Sequence, residues 1–453
     1  MRLFPEKSKK YIPGLVALSL PVLFQNLLST AVSVADNAMV GVLGEAPLSG
    51  VTVANQVFFV FTLFTIGVAS AASVIISQYW GKGDRPTVRR LFWLSGAVAL
   101  VIGVLFTVLS LACPEVAVRI YTDDPELIAI GARYLRLIAP AHTPFALAFI
   151  LMSALRGTER VQIGMWLSAF SLAVNIFLNW VLIYGKLGAP ALGVDGAAYA
   201  TAIARTAQFL LLVVYFARDR EKLLRFNEIR RINPPLVRAY LREMAPILAN
   251  ECLWGLGTSM YMVSIGRMKT DAVSAYSMIS AFKDIMVIGG MGLGHGVSVM
   301  IGMAMGANRR DEALTLAKLS IVLGALCGVV FAGISLVLFP IYMTFYNVSD
   351  QALEYGRIMG WILSVHILLS ALNFICIVGI LRGGGDGRTA MFIDLMFLWP
   401  LCVPLSYLGG RVFGWPVYVV YGVIVLDEML KFIFARRRVR SGKWMRNMTR
   451  DFT

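Results

Sequence analysis

The feature that limits this chain most is a repeated length. Apolar runs of about 20 residues recur from one end to the other, separated by short charged segments. Inside a bilayer no water reaches backbone N–H and C=O groups, so a spanning segment must be a helix or part of a closed barrel; runs this long are helices. About twelve spans follow, near 14–43, 50–80, 90–113, 126–155, 161–184 and 195–217, then 240–266, 272–305, 313–340, 351–381, 389–409 and 415–435. Composition agrees: 58% of the 453 residues are hydrophobic and 15% charged, where soluble domains carry about 25% charge. Mean hydropathy is +0.73.

The net charge of +15 does not indicate nucleic-acid binding, because the basic residues lie in short clusters between spans. Arg2, Lys7, Lys9 and Lys10 form one cluster, and Lys82, Arg85, Arg89 and Arg90 another. Arg156 with Arg160, the segment 218–242, Arg309 with Arg310, Arg382 with Arg388, and the tail 436–450 continue the set. The alternate connections are poor in Lys and Arg: 44–50 has only Glu45, and 113–126 is dominated by Glu115, Asp123, Asp124 and Glu126. Arg267 and Lys269 are the exceptions. The bias places both termini in the cytoplasm, which needs an even number of spans. Cys113, Cys252, Cys327, Cys376 and Cys402 read as small buried hydrophobes. The N-terminal stretch lacks the cleavage site of a removable signal peptide.

A shift of 225 residues superposes Pro21 on Pro246, Gly41 on Gly266, Gly67 on Gly292, Ser73 on Ser298, Gly81 on Gly306, Tyr121 on Tyr346 and Gly131 on Gly356. One further residue of slip aligns Leu155, Arg156 and Gly157 with Leu381, Arg382 and Gly383. The expected organisation is therefore an N-terminal six-helix lobe (1–217), a cytoplasmic linker (218–238), a C-terminal six-helix lobe (239–436) and a basic tail (437–453). Parallel repeats of this kind are a transporter architecture.

Asp36 lies inside the first span, where a carboxylate costs about 3 kcal/mol and marks a functional site by default. Helical rise puts it about 10 Å from the outer end of the span. Asn175 and Asn179 are four apart on the fifth span, and Ala197 and Thr201 four apart on the sixth, so each pair shares a helix face. All fall in the same outer layer. A carboxylate with amide and hydroxyl oxygens suits a hard monovalent cation, or a proton carried by the carboxyl. The competing reading is structural: intramembrane asparagines join helices by hydrogen bonds of about 1 kcal/mol, and threonine bonds back to its own helix.

Other polar residues fall deeper. Glu251 is the repeat mate of Asn26 and is expected either to attract a cationic substrate or to be neutralised by Lys283, with Arg205 as a further charge in the membrane. Asp284 adjoins Lys283 but is expected on another face, and Asp394 is expected half solvated near its span's cytoplasmic start. His142 and His366 are near-mates under the repeat, expected as hydrogen-bonded core histidines or as a proton relay. Trp254, Met260, Met262, Met278 and Met286 suit either packing or an adaptable cavity. No GxxxxGK[ST] loop, HExxH or CxxC motif occurs, so neither ATP nor a metal cofactor is expected.

Several stretches together resemble the multidrug and toxic compound extrusion (MATE) family. They are SLPVLFQNLLSTAVSVADNAMVG in the first span, SQYWGKGD after the second, PFALAFILMSALRGTER ending the fourth, LGVDGAAYAT opening the sixth, VMIGMAMGAN after the eighth and GILRGGGD ending the tenth. The resemblance implies an all-α integral membrane protein of the MATE/MOP-superfamily fold, with twelve transmembrane helices in two parallel six-helix repeats. It implies export of amphipathic, often cationic organic molecules against inward Na+ or H+, by alternating access of two lobes. The positions resembling Asp36, Asn175 and Thr201 form a cation site in prokaryotic members. Asn179 stands where some relatives carry a second aspartate, a departure that removes one titratable group. The expected partners are a small organic substrate and the bilayer, with no nucleic acid, and the expected state is a monomer in the cytoplasmic membrane. A flippase for a lipid-linked saccharide or polyprenyl precursor is the alternative, and an intramembrane transferase the third reading.

Overall fold

The computed structural model describes residues 6–451, so Arg2 of the N-terminal basic cluster lies outside it. Twelve long helical elements account for nearly all of the described residues. In order they are α1 (Ile12–Gly41), α2 (Glu45–Lys82), α3 (Arg85–Ala112), α4 (Pro125–Arg156), α5 (Val161–Tyr184) and α6 (Val194–Arg218), followed by α7 (Pro234–Ile265), α8 (Thr270–Gly306), α9 (Arg310–Met343), α10 (Asp350–Arg382), α11 (Gly387–Arg411) and α12 (Val417–Arg440). Among the described residues ten of these are long and apolar enough to cross a membrane. The remaining two, α7 and α12, have comparable length but carry charge along them: Glu251 in α7, and Asp427, Glu428 and Lys431 in α12.

Local chemistry sets the ends. The Asp84 carboxylate accepts from Thr87 N, with Pro86 in the first turn, and starts α3. Asp124 and Ser349 do the same for α4 and α10. Gly185, at φ +66°, closes α5 in the left-handed conformation that an L side chain resists. Interior irregularities coincide with proline or with the second member of a repeat pair: α4 contains a 3₁₀ turn at Ala139–Ala141, α10 becomes a π-helix over Phe374–Arg382, and α11 has a π turn at Leu398–Cys402. Pro21 and Pro246 instead lie within unbroken helices.

Several element limits differ from the sequence expectation. Glu45 already begins α2, where a connection to residue 50 was expected, because an acidic residue is favourable in a first turn. The connection 113–126 holds a short helix, Pro114–Arg119. The linker is structured as well: it forms a 3₁₀ turn at Phe226–Arg231, and α7 starts within it at Pro234. Arg160 pairs with Asp219 at 2.6 Å, and the Trp93 indole donates to Arg225 O at 3.0 Å.

The helices form two compact units. One comprises the chain through Leu23, Ser77–Gly83 and Ala245–Arg450; the other comprises Phe24–Ile76 and Asp84–Met244. In the first unit, Gly81 and Gly306 allow contact between α2 and α8, since an added Cβ would overlap the backbone of Met303 and of Gln78 respectively. The tail packs in the same unit: Trp444 is fully buried, and Arg446 N donates to Gly384 O at 2.8 Å. In the second unit a core of Val40, Val51, Ala54, Leu135, Ile183 and Ala198 surrounds the C-terminal ends of α1 and α5 and the N-terminal end of α6. The five cysteines are free, but only Cys376 and Cys402 are buried; Cys113 ends α3 and is exposed.

Candidate functional site

The α5–α6 hairpin positions the polar residues. Leu192 N and Gly193 N donate to Leu182 O and Ile183 O, and Gly196 lets the start of α6 lie against α5, where a Cβ would come within 2.5 Å of Leu182 O. Ala197, a turn before Thr201, has almost no side chain and is buried in the same contact. The Tyr184 hydroxyl donates to Met39 O at 3.0 Å and ties the end of α5 to α1 one turn beyond Asp36.

These contacts bring Asp36, Asn175, Asn179 and Thr201 together. Asn179 Nδ2 donates to Asp36 Oδ1 at 2.5 Å and reaches Asn175 Oδ1 at 3.4 Å; Asn175 Nδ2 donates to Thr201 Oγ1 at 3.2 Å. The two asparagines and the threonine are no more than 2% exposed, while Asp36 is half-buried. Asn179 Oδ1 is buried with no hydrogen-bond partner. Among the described residues Asp36 has no cation within 4.0 Å of its carboxylate. The arrangement is a carboxylate held by one amide, beside an open amide oxygen and a hydroxyl, which is a donor set able to receive a small cation or a proton.

Two neighbours were not singled out for this layer by sequence. Arg205, one turn after Thr201, stacks its guanidinium over Phe58 at 4.1 Å and Phe145 at 4.8 Å. It lies within electrostatic range of Asp36, as does the buried Tyr134 of α4. Arg205 continues the four-residue spacing from Ala197 and Thr201, a signal the sequence contained; nothing in the sequence distinguished Tyr134.

The other expected site residues lie elsewhere. Glu251 pairs with Arg382 at 2.5 Å, not with Lys283; Arg382 is the buried last residue of the π-helical end of α10. Lys283 instead reaches the carboxylate of its neighbour Asp284 at 3.4 Å, so the expectation that the two diverge is wrong: adjacent long side chains can fold back towards each other. Asp394 is not half solvated; it bonds Asn250 Nδ2 at 2.9 Å and Lys431 at 3.3 Å. His142 is a core residue, with Nδ1 3.2 Å from Ile138 O, Nε2 3.5 Å from Ser110 Oγ and its ring stacked on Phe61. His366 Nδ1 meets the Tyr421 hydroxyl at 2.9 Å. Asn26 has a buried, unpartnered amide nitrogen. Met278 belongs to a buried core, Trp254 and Met286 pack on it, and Met262 is exposed.

The MatE family model matches twice, at residues 21–181 and 246–408, starting at the two prolines that the repeat superposes. The chain belongs to the MatE family. A probable multidrug resistance protein NorM from Thermotoga maritima is 25% identical over 436 residues, covering 95% of this chain and 92% of that protein. The multidrug resistance protein MdtK of Yersinia enterocolitica is 26% identical over 422 residues, covering 89% of each. An outward-facing multidrug resistance MATE family transporter of the MOP superfamily has the same fold, with a TM-score of 0.86 over 95% of this chain and 96% of that one, at 18% identity. This MatE chain is thus a multi-pass, all-α membrane protein, and its two family matches cover α1–α5 and α7–α11.

Proposed function

We propose that this protein is an antiporter that exports amphipathic, cationic organic compounds across the cytoplasmic membrane, driven by Na+ or H+ entering at Asp36. The carrying observation is that Asp36 lies in an apolar helix, held by the Asn179 amide, with no cation within 4.0 Å among the described residues. A half-buried carboxylate with no cation in direct contact favours any state in which it has acquired one. The open Asn179 oxygen and the Thr201 hydroxyl supply further ligands when that ion is a metal.

Transport follows when ion and substrate stabilise different conformations, since a ligand that binds two states equally shifts neither. Loading Asp36 with a proton or Na+ neutralises it and changes the hydrogen bonds between α1 and α5, and α1 is the helix through which the boundary between the two compact units passes, between Leu23 and Phe24. The names of the relatives favour drug export over the flippase alternative. No turnover chemistry, cofactor or nucleic-acid partner enters the scheme, and one chain suffices for it. The Lys and Arg distribution puts both termini in the cytoplasm and the Asp36 layer towards the outside. Purified protein in proteoliposomes, loaded with a fluorescent organic cation, tests the proposal: an imposed inward Na+ or H+ gradient should drive efflux, and no response to either would end it.

A further inference from the structure

Three carboxylates converge on one ammonium in the unit that contains the C-terminal half. Lys431 Nζ lies 2.7 Å from Asp427 Oδ2, 3.3 Å from Asp394 Oδ1 and 3.9 Å from Glu428 Oε1. Two amides complete the group. Asn250 Nδ2 donates to Asp394 Oδ2 at 2.9 Å, and Asn373 Nδ2 donates to Glu428 Oε2 and to its backbone carbonyl, both at 2.8 Å. Lys431 and Asn250 are 1% exposed, Asp427 2% and Asn373 5%.

The group is more than a structural ion pair, for two reasons. One ammonium cannot neutralise three carboxylates, and surplus charge at this depth is costly. In addition Asp427 Oδ1, Asn250 Oδ1 and Asn373 Oδ1 are all buried with no hydrogen-bond partner. Their side chains have already spent their other atoms on the cluster, which leaves three bare acceptor oxygens beside excess negative charge. Such oxygens are the ligands of a hard monovalent cation. The point on which the carboxylates converge is nevertheless filled, by Nζ. Among the described residues no three acidic, histidine or cysteine side chains by themselves frame a metal position, so any ion here needs the amide oxygens as well.

We propose that Asp394, Asp427 and Glu428, with Asn250 and Asn373, form a monovalent-cation site whose resident occupant is Lys431, a tethered ammonium that keeps alkali cations out. Lys431 is then a specificity-determining residue. It confines inorganic-ion binding to the Asp36 layer, and its removal opens the site to Na+.

The test is read as thermal unfolding in detergent with NaCl against choline chloride, in an Asp36→Asn background so that the first site does not contribute. Its readout is ion binding, so it can fail while the antiporter reading stands, and the reverse. With Lys431 intact, Na+ should leave the unfolding temperature unchanged; a Na+-dependent rise that Asp427→Asn abolishes would overturn the proposal. With Lys431→Met, Na+ should give a saturable rise of a few degrees, and a folded variant that ignores Na+ would overturn it equally. If the lysine-free protein unfolds in choline, high Na+ or methylammonium should recover a monodisperse species, and recovery by neither contradicts the assignment.

Discussion

Asn179 on α5 donates its side-chain amide to Asp36 on α1 across 2.5 Å, while its own Oδ1 remains buried without a partner. One residue thereby orients the carboxylate and holds an unused acceptor beside it. Replacing it separates these functions. Asn179→Leu removes a hydrogen bond to a charged group, worth about 1.5–3 kcal/mol, and should raise the ion concentration for half-maximal efflux roughly 10- to 100-fold. An ion titration of efflux in proteoliposomes checks this, and an unshifted midpoint would make Asn179 merely structural.

Glu251 and Arg382 pair at 2.5 Å, a contact that favours a structural role for Glu251. Glu251→Gln takes away the carboxylate that faces a guanidinium whose side chain is 3% exposed, and should destabilise the protein by about 3–5 kcal/mol. Adding Arg382→Met should recover part of that loss. Thermal unfolding of both variants decides it. Normal stability of Glu251→Gln combined with weakened substrate binding would return Glu251 to the cavity.

His142 is held by Ile138 O and Ser110 and enclosed by Phe58 and Phe61. His142→Phe should lower stability by about 1 kcal/mol and leave the pH profile of efflux in place. A displaced profile would reinstate the relay.

The contact of α2 with α8 depends on glycine. Gly81→Ala would drive a methyl into the backbone of Met303, and overpacking of this kind costs about 1–3 kcal/mol. The yield of folded protein and its unfolding temperature should both fall, whereas Gly422→Ala, where a methyl meets nothing, should leave both unchanged.

The sequence made the helices legible because lipid permits so few alternatives: length and apolarity located each long element to within a few residues. The Asp36 layer was legible for a related reason. A charge in an apolar run demands explanation, and the four-residue spacings of Asn175 with Asn179 and Ala197 with Thr201 fix shared faces whatever the packing. Pairings between distant helices were not legible. The partner of Glu251, Arg382, lies 131 residues away on another helix, which periodicity does not show, and Lys283 met the neighbour it was expected to avoid. The Lys431 cluster was missed because α12 reads as a charged, weakly apolar helix near a basic tail; only the fold shows that Asp394, Asn250 and Asn373 converge on it.

The central claim is that the carboxylate of Asp36 is the group through which an ion gradient drives export. Asp36→Asn keeps a hydrogen-bonding side chain of the same size and removes the charge. In proteoliposomes under an inward Na+ or H+ gradient, the folded variant should bind the organic cation but show no gradient-driven efflux. Efflux at the unmodified rate from that variant would contradict the account.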